Sequence, residues 1–256
     1  MKTFTDIVYN EYGQALDIYL PDCGSAKAVF LYFHGGGLES GSKTGCKPFA
    51  PYLAAHDIAV VSADYRMYPS KGHPENNAKY PDFIEDAAEC VAWLKAHIGE
   101  YCACDKIFVG GSSAGGYLSM MLCFNEAYLG KHGIKPTELA GFIHDSGQPT
   151  SHFHVLRERG IDTRRIIVDE TAPLYFIGHD GNEAAPMIFL VSDNDIENRY
   201  EQTELVLSTM KHFGYDMSKV DHMLLHGNHC HQIRAFDENG DNVFGKIIRD
   251  FIQKNV

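Results

Sequence analysis

Positive charge is in short supply. The 256 residues carry 22 Lys and Arg against 34 Asp and Glu, a formal net charge of −12. A chain this acidic has no electrostatic footprint for nucleic acid or for an anionic membrane surface, and neither is expected as a partner. Long hydrophobic runs are also missing: no apolar stretch approaches the length of a transmembrane helix, and the opening Met1-Lys2-Thr3-Phe4-Thr5-Asp6 has no signal-peptide core. The expected location is cytoplasmic. The cysteines are odd in number, seven, and none forms a C-x-x-C pair, so reduced thiols are expected in place of a disulfide framework or zinc site. There is no Pro/Ser-rich linker, repeat or low-complexity stretch, which points to one domain over 1–256. Tryptophan occurs once, and Trp93 reads as a core residue of a helix.

What the chain does have is glycine at telling places. Ser113 is centred in Gly111-Ser112-Ser113-Ala114-Gly115, after the apolar run Ile107-Phe108-Val109 and before the helix-like Tyr117-Leu118-Ser119-Met120-Met121-Leu122. Strand, sharp turn and helix are the context that a G-x-S-x-G nucleophile elbow requires. The flanking glycines make room where strand and helix nearly collide, and the serine hydroxyl is pushed clear of the sheet. Upstream, the apolar Ala28-Val29-Phe30-Leu31-Tyr32-Phe33 ends in His34-Gly35-Gly36-Gly37. Glycines there let backbone N–H groups approach a substrate carbonyl and stabilise the negative charge of a tetrahedral intermediate. The candidate donors are Gly35, Gly36 and Ala114.

These motifs resemble those of the α/β-hydrolase esterases and lipases, in particular the hormone-sensitive-lipase-like and feruloyl-esterase-like carboxylesterases. The likeness is carried by Gln14 to Pro21, by His34-Gly35-Gly36-Gly37 with Gly41-Ser42-Lys43, by Asp64-Tyr65-Arg66-Met67-Tyr68-Pro69, and by the segment from Pro81-Asp82 to Trp93-Leu94. It covers the first half of the chain; the second half rests on pattern and spacing. The resemblance implies a mainly parallel sheet with helices on both faces. The pattern agrees: an N-terminal antiparallel hairpin turning near Asn10 to Gln14, then strands at 29–33, 58–62, 107–109, 141–144, 187–191 and 222–225. Helical segments fall at 49–55, 83–97, 114–123, 201–213 and 243–252.

In this fold the acid follows the next-to-last strand and the base the last. Met187-Ile188-Phe189-Leu190-Val191-Ser192 runs into Asp193-Asn194-Asp195. The family's D-x-D turn favours Asp195, with Asp193 in reserve. Among the three histidines of His226-Gly227-Asn228-His229-Cys230-His231, the turn after His226 favours His229, with His231 in reserve. A metal reading of that cluster fits no standard ligand spacing, and neither metal nor cofactor is expected.

Asp64 and Arg66 are expected to brace the loop beneath the glycine turn. About 40 residues separate the sixth strand from the seventh, too few for a large cap domain; a small flap at 146–172, including His152-Phe153-His154, is the expectation. The activity implied is that of a serine carboxylesterase acting on short-chain esters, including acetyl or feruloyl esters of sugars, through an acyl-enzyme. The alternatives are a small peptidase or amidase of the prolyl-peptidase type and a non-catalytic small-molecule receptor on the same fold. The expected partner is a small-molecule ester; oligomeric state is left open.

Overall fold

A computed structural model describes all 256 residues. Eight strands, β1 (Lys2–Val8), β2 (Ala15–Leu20), β3 (Ala28–Phe33), β4 (Ile58–Ala63), β5 (Ile107–Ser112), β6 (Gly141–Asp145), β7 (Met187–Asn194) and β8 (Val220–Asn228), form one sheet in the order β1-β2-β4-β3-β5-β6-β7-β8. The β1–β2 and β2–β4 pairs are antiparallel, and every pair from β4 to β8 is parallel. β1 begins at Lys2 and is half-buried only at Phe4 and Ile7, so it carries little apolar signal.

Seven helices cover the sheet: α1 (Ala50–Ala55), α2 (Asp82–His97), α3 (Ala114–Phe124), α4 (Glu126–Gly130), α5 (Phe153–Glu158), α6 (Arg199–His212) and α7 (Val243–Lys254). β3 shows how two faces are served by one buried strand. Val29, Leu31 and Phe33 point into the larger core with α2, α3 and α6, while Ala28, Phe30 and Tyr32 point into the smaller one with α1 and α7. That double burial is why the strand reads as an unbroken apolar run. α7 lays Phe244, Ile248, Phe251 and Ile252 on the sheet, and Asn242 caps it by accepting from the Gly245 N–H at 2.8 Å.

Residues 146–186, between β6 and β7, hold only α5 and a short 3-10 turn at Pro173–Phe176, so no cap domain is present. No helix is long and apolar enough to cross a membrane. All seven cysteines are free: Cys46, Cys90, Cys102 and Cys123 are buried, Cys104 and Cys230 half-buried, and Cys23, in the β2–β3 turn, is exposed. Trp93 is half-buried, its indole stacked on His97 at 4.6 Å.

Candidate active site

The turn from β5 into α3 is as tight as its sequence requires. Ser113 sits at φ 55°, ψ −112°, a left-handed conformation that costs a non-glycine residue about 1–3 kcal/mol. Its neighbours leave no alternative to glycine. A Cβ on Gly115 would stand 1.9 Å from the Phe33 carbonyl oxygen, and one on Gly111 would stand 2.5 Å from the Gly115 backbone. The elbow is held from the next strand, where the Asp145 carbonyl accepts the Ser113 N–H at 2.7 Å.

Across from it, Gly35 packs so closely that an added Cβ would lie 3.2 Å from the Ser113 Cβ. Gly36 has φ 121°, and a Cβ there would meet the Ser40 carbonyl oxygen at 2.0 Å. The N–H groups of Gly35 and Gly36 donate to no atom of the protein. Ala114, the first residue of α3, has no intrahelical acceptor for its own. Three free donors therefore surround the serine, as an oxyanion site demands.

His34 fixes the start of this loop. Its Nδ1 lies 2.7 Å from the Gly35 carbonyl oxygen and so carries the proton, and its ring stacks on Tyr65 with centroids 4.4 Å apart. Burial pushes the imidazole down to about 4, leaving it neutral. Tyr65 Oη donates to the His34 carbonyl at 2.8 Å. Asp64 braces the loop as expected, accepting the Lys43 N–H at 2.6 Å, but Arg66 does not. Its guanidinium turns to α2, pairing with Asp86 at 2.7 Å, because Asp86 is a fully buried carboxylate that requires a cation.

From the far end of the sheet come the candidate acid and base. His229 Nε2 lies 2.8 Å from Ser113 Oγ, and its Nδ1 lies 2.5 Å from Asp195 Oδ1. Nδ1 thus donates to the carboxylate, and Nε2 is the acceptor facing the serine hydroxyl. Burial raises the Asp195 pKa, but hydrogen bonds from His229, Ser146 (Oγ at 2.8 Å) and the Ile196 N–H (2.7 Å) outweigh it and hold the carboxyl below its usual range.

Neither reserve residue joins this line. Asp193 is exposed and pairs with His226 Nδ1 at 2.6 Å, also accepting the Gly227 N–H at 2.9 Å. His231 turns away, with Nδ1 3.1 Å from the Asn228 carbonyl oxygen. The choice between the aspartates is made by a register shift between β7 and β8 at Ser192/Asn194, which sends Asp195 inward.

Four residues around the line have no motif of their own. Ser146, at φ 49°, bonds Asp195; the buried Arg199 donates through Nη1 to the Ser146 carbonyl. Asp145 is buried against Gln232 Nε2, and burial raises its carboxyl to about 7. Cys230 Sγ lies 3.7 Å from His229 Nε2. Their only sequence signals are adjacency: Ser146 follows a strand end, Arg199 opens a helix four residues after Asp195, and Cys230 sits beside His229. No group of three or more metal-ligating side chains is present.

Residues 16–133 match the family model described as BD-FAE. With the sheet order, elbow and glycine loop in place, the architecture follows. The chain has the α/β-hydrolase fold. Among curated relatives, this chain is 40% identical over 124 residues to the probable carboxylic ester hydrolase LipM of Mycobacterium tuberculosis, a stretch covering 45% of this chain and 27% of LipM. It is 38% identical over 105 residues to the esterase LipI of the same organism, covering 40% and 30%. The chain thus spans less than a third of these relatives' length. Two solved structures cover nearly all of it. A thermophilic esterase from Thermogutta terrifontis with propionate bound superposes with a TM-score of 0.74 at 22% identity, over 99% of this chain and 93% of that one. Esterase B from Lactobacillus rhamnosis gives 0.77 at 17% identity, over 99% and 86%.

Proposed function

We propose that this α/β-hydrolase is a serine carboxylesterase for short-chain esters. The observation that carries the reading is the unbroken line Ser113 Oγ–His229 Nε2 at 2.8 Å and His229 Nδ1–Asp195 at 2.5 Å, beneath the free N–H groups of Gly35, Gly36 and Ala114. His229 Nε2 takes the Ser113 proton as Oγ bonds to the ester carbonyl carbon, and the three N–H groups hold the resulting oxyanion. The imidazolium, stabilised by Asp195, then protonates the alkoxy oxygen; the C–O bond breaks and the alcohol leaves. Water, deprotonated by the same nitrogen, attacks the acyl-enzyme and releases acid and serine.

Two features favour compact acyl groups. The β6–β7 segment holds no cap, and Phe153 crowds the glycine loop, 3.3 Å from where a Gly37 Cβ would stand. Acetyl and feruloyl esters of sugars are the narrower expectation, and residues 146–172 serve as the small flap over the site. The relatives' names as ester hydrolases support this class over an amidase or a receptor. Hydrolysis of p-nitrophenyl esters from acetate to decanoate by the wild type and by Ser113→Ala tests the reading. Rates that fall with chain length and vanish in the variant are expected. Activity that survives the substitution, or is absent from the wild type, overturns it.

A further inference from the structure

We propose that the cavity between α5 and the start of α6 is a subsite for a carboxylate carried on the ester substrate, with Arg199 as its fixed cation. The proposal rests on the serine-esterase reading above. The cavity has a volume of about 260 Å³, and its walls include Phe153, Arg165, Ile196, Glu197, Arg199 and Gln202. Two of these tie it to the reaction centre: Phe153 packs on the glycine loop at Gly37, and Ile196 directly follows Asp195.

Arg199 is only 4% exposed and forms no ion pair. Of its guanidinium, Nη1 donates to the Ser146 carbonyl, while Nε is buried without a partner and Nη2 donates to no protein atom. A buried cation with open donors is costly unless something supplies the counter-charge. The protein supplies none within ion-pair distance, and the forked geometry of a guanidinium suits a carboxylate. Gln202, one turn along α6, accepts from Thr150 Oγ1 at 3.3 Å through Oε1 and leaves its amide NH₂ for the same ligand. The site also sits at the first turn of a 14-residue helix, where the dipole favours an anion. Arg165 adds charge at the rim. Glu197 opposes it there, and the other rim cation, Arg164, is occupied by Asp162 at 2.6 Å.

Two ester pairs, each differing in a methyl against a carboxylate, test the proposal: p-nitrophenyl valerate against the p-nitrophenyl monoester of glutarate, and m-tolyl acetate against 3-acetoxybenzoate. The first pair puts the carboxylate on the acyl side, the second on the alcohol side. In one pair the anionic member should be preferred in kcat/KM by roughly tenfold, the scale of one charge-assisted hydrogen bond. Arg199→Gln should erase that preference, Arg199→Lys should keep part of it, and Glu197→Gln should raise it. The ratio within a pair is the readout, because Arg199 also supports Ser146. If Arg199→Gln does not fold, the wild-type ratio and Glu197→Gln decide. Hydrolysis of the neutral esters with no anionic preference in either pair overturns the subsite and leaves the esterase reading standing. No hydrolysis of any ester overturns both.

Discussion

Residues 28–116 and residues 187–232 deliver their chemistry to the same end of the sheet, but they are built to different tolerances. β3, β4 and β5 are buried along their whole length, and their loops are locked by backbone-to-backbone contact, as at Gly115 against Phe33 and Gly36 against Ser40. β8, at the edge of the sheet, is half-exposed or exposed throughout, with Met223 and Leu224 in solvent, and its loop carries His229. Ser113 and the candidate oxyanion donors are thus fixed by sterics. Asp195 and His229 are held by hydrogen bonds, which leave room for adjustment.

The comparison breaks most sharply at the glycines. Gly115→Ala puts a methyl onto a carbonyl that cannot move, and a loss of more than about 4 kcal/mol in unfolding free energy is expected by denaturant titration. Ser113→Ala should instead keep the fold, or gain stability as a strained polar residue is simplified, while kcat/KM falls by roughly 10⁴-fold or more.

In the second region, Asp195→Asn should lower kcat by roughly 10³- to 10⁴-fold, since an amide favours the wrong imidazole tautomer. Asp193→Asn and His231→Ala should stay within about threefold of wild type, as expected for surface positions off the line. Equal losses in Asp193→Asn and Asp195→Asn would erase the distinction drawn at the β7–β8 register shift.

The smallest effect is in pH-dependent stability. His144, buried beside Ser119 Oγ at 2.9 Å, is pushed down to about 3, and His34 to about 4. Burial depresses His152 as well, so the unfolded chain takes up protons first and stability falls as pH drops below about 6.5. Asp145, raised to about 7, works the other way: the folded state holds its proton longer, and stability falls as pH rises from about 4 to about 7. The depressed imidazoles outnumber the one raised carboxyl, so wild-type melting temperatures should fall from pH 7 to pH 5, and Asp145→Asn should raise the value at pH 8. An Asp145→Asn curve parallel to wild type would remove the carboxyl from the account.

The same contrast explains how much was legible in the sequence. Gly111, Gly115 and Gly36 are dictated by clashes that only glycine avoids, so they mark Ser113 and the loop opposite without reference to anything distant. The BD-FAE match covers that region and stops at 133, before β6. Asp195 and Asp193 differ only in a register shift between two strands, which no local pattern reports. Arg66 was misread for a related reason: its partner, Asp86, lies on α2, and a helical aspartate ordinarily signals a solvated face. Ser146 and Arg199 escaped notice because their roles exist only once β6, β7 and α6 are side by side.

Cys23 sits in the turn that feeds β3 from its amino end, while the glycine loop leaves the same strand at its carboxyl end. Six residues of extended chain, about 20 Å, separate the two. Of the seven thiols, the four buried ones are shielded, and Cys23 alone is fully open to a reagent. Its thiol is also shifted toward the reactive thiolate by hydrogen bonds to Ser25. A maleimide dye or a surface tether placed there would hold the protein by its back, with the Ser113 cleft facing outward.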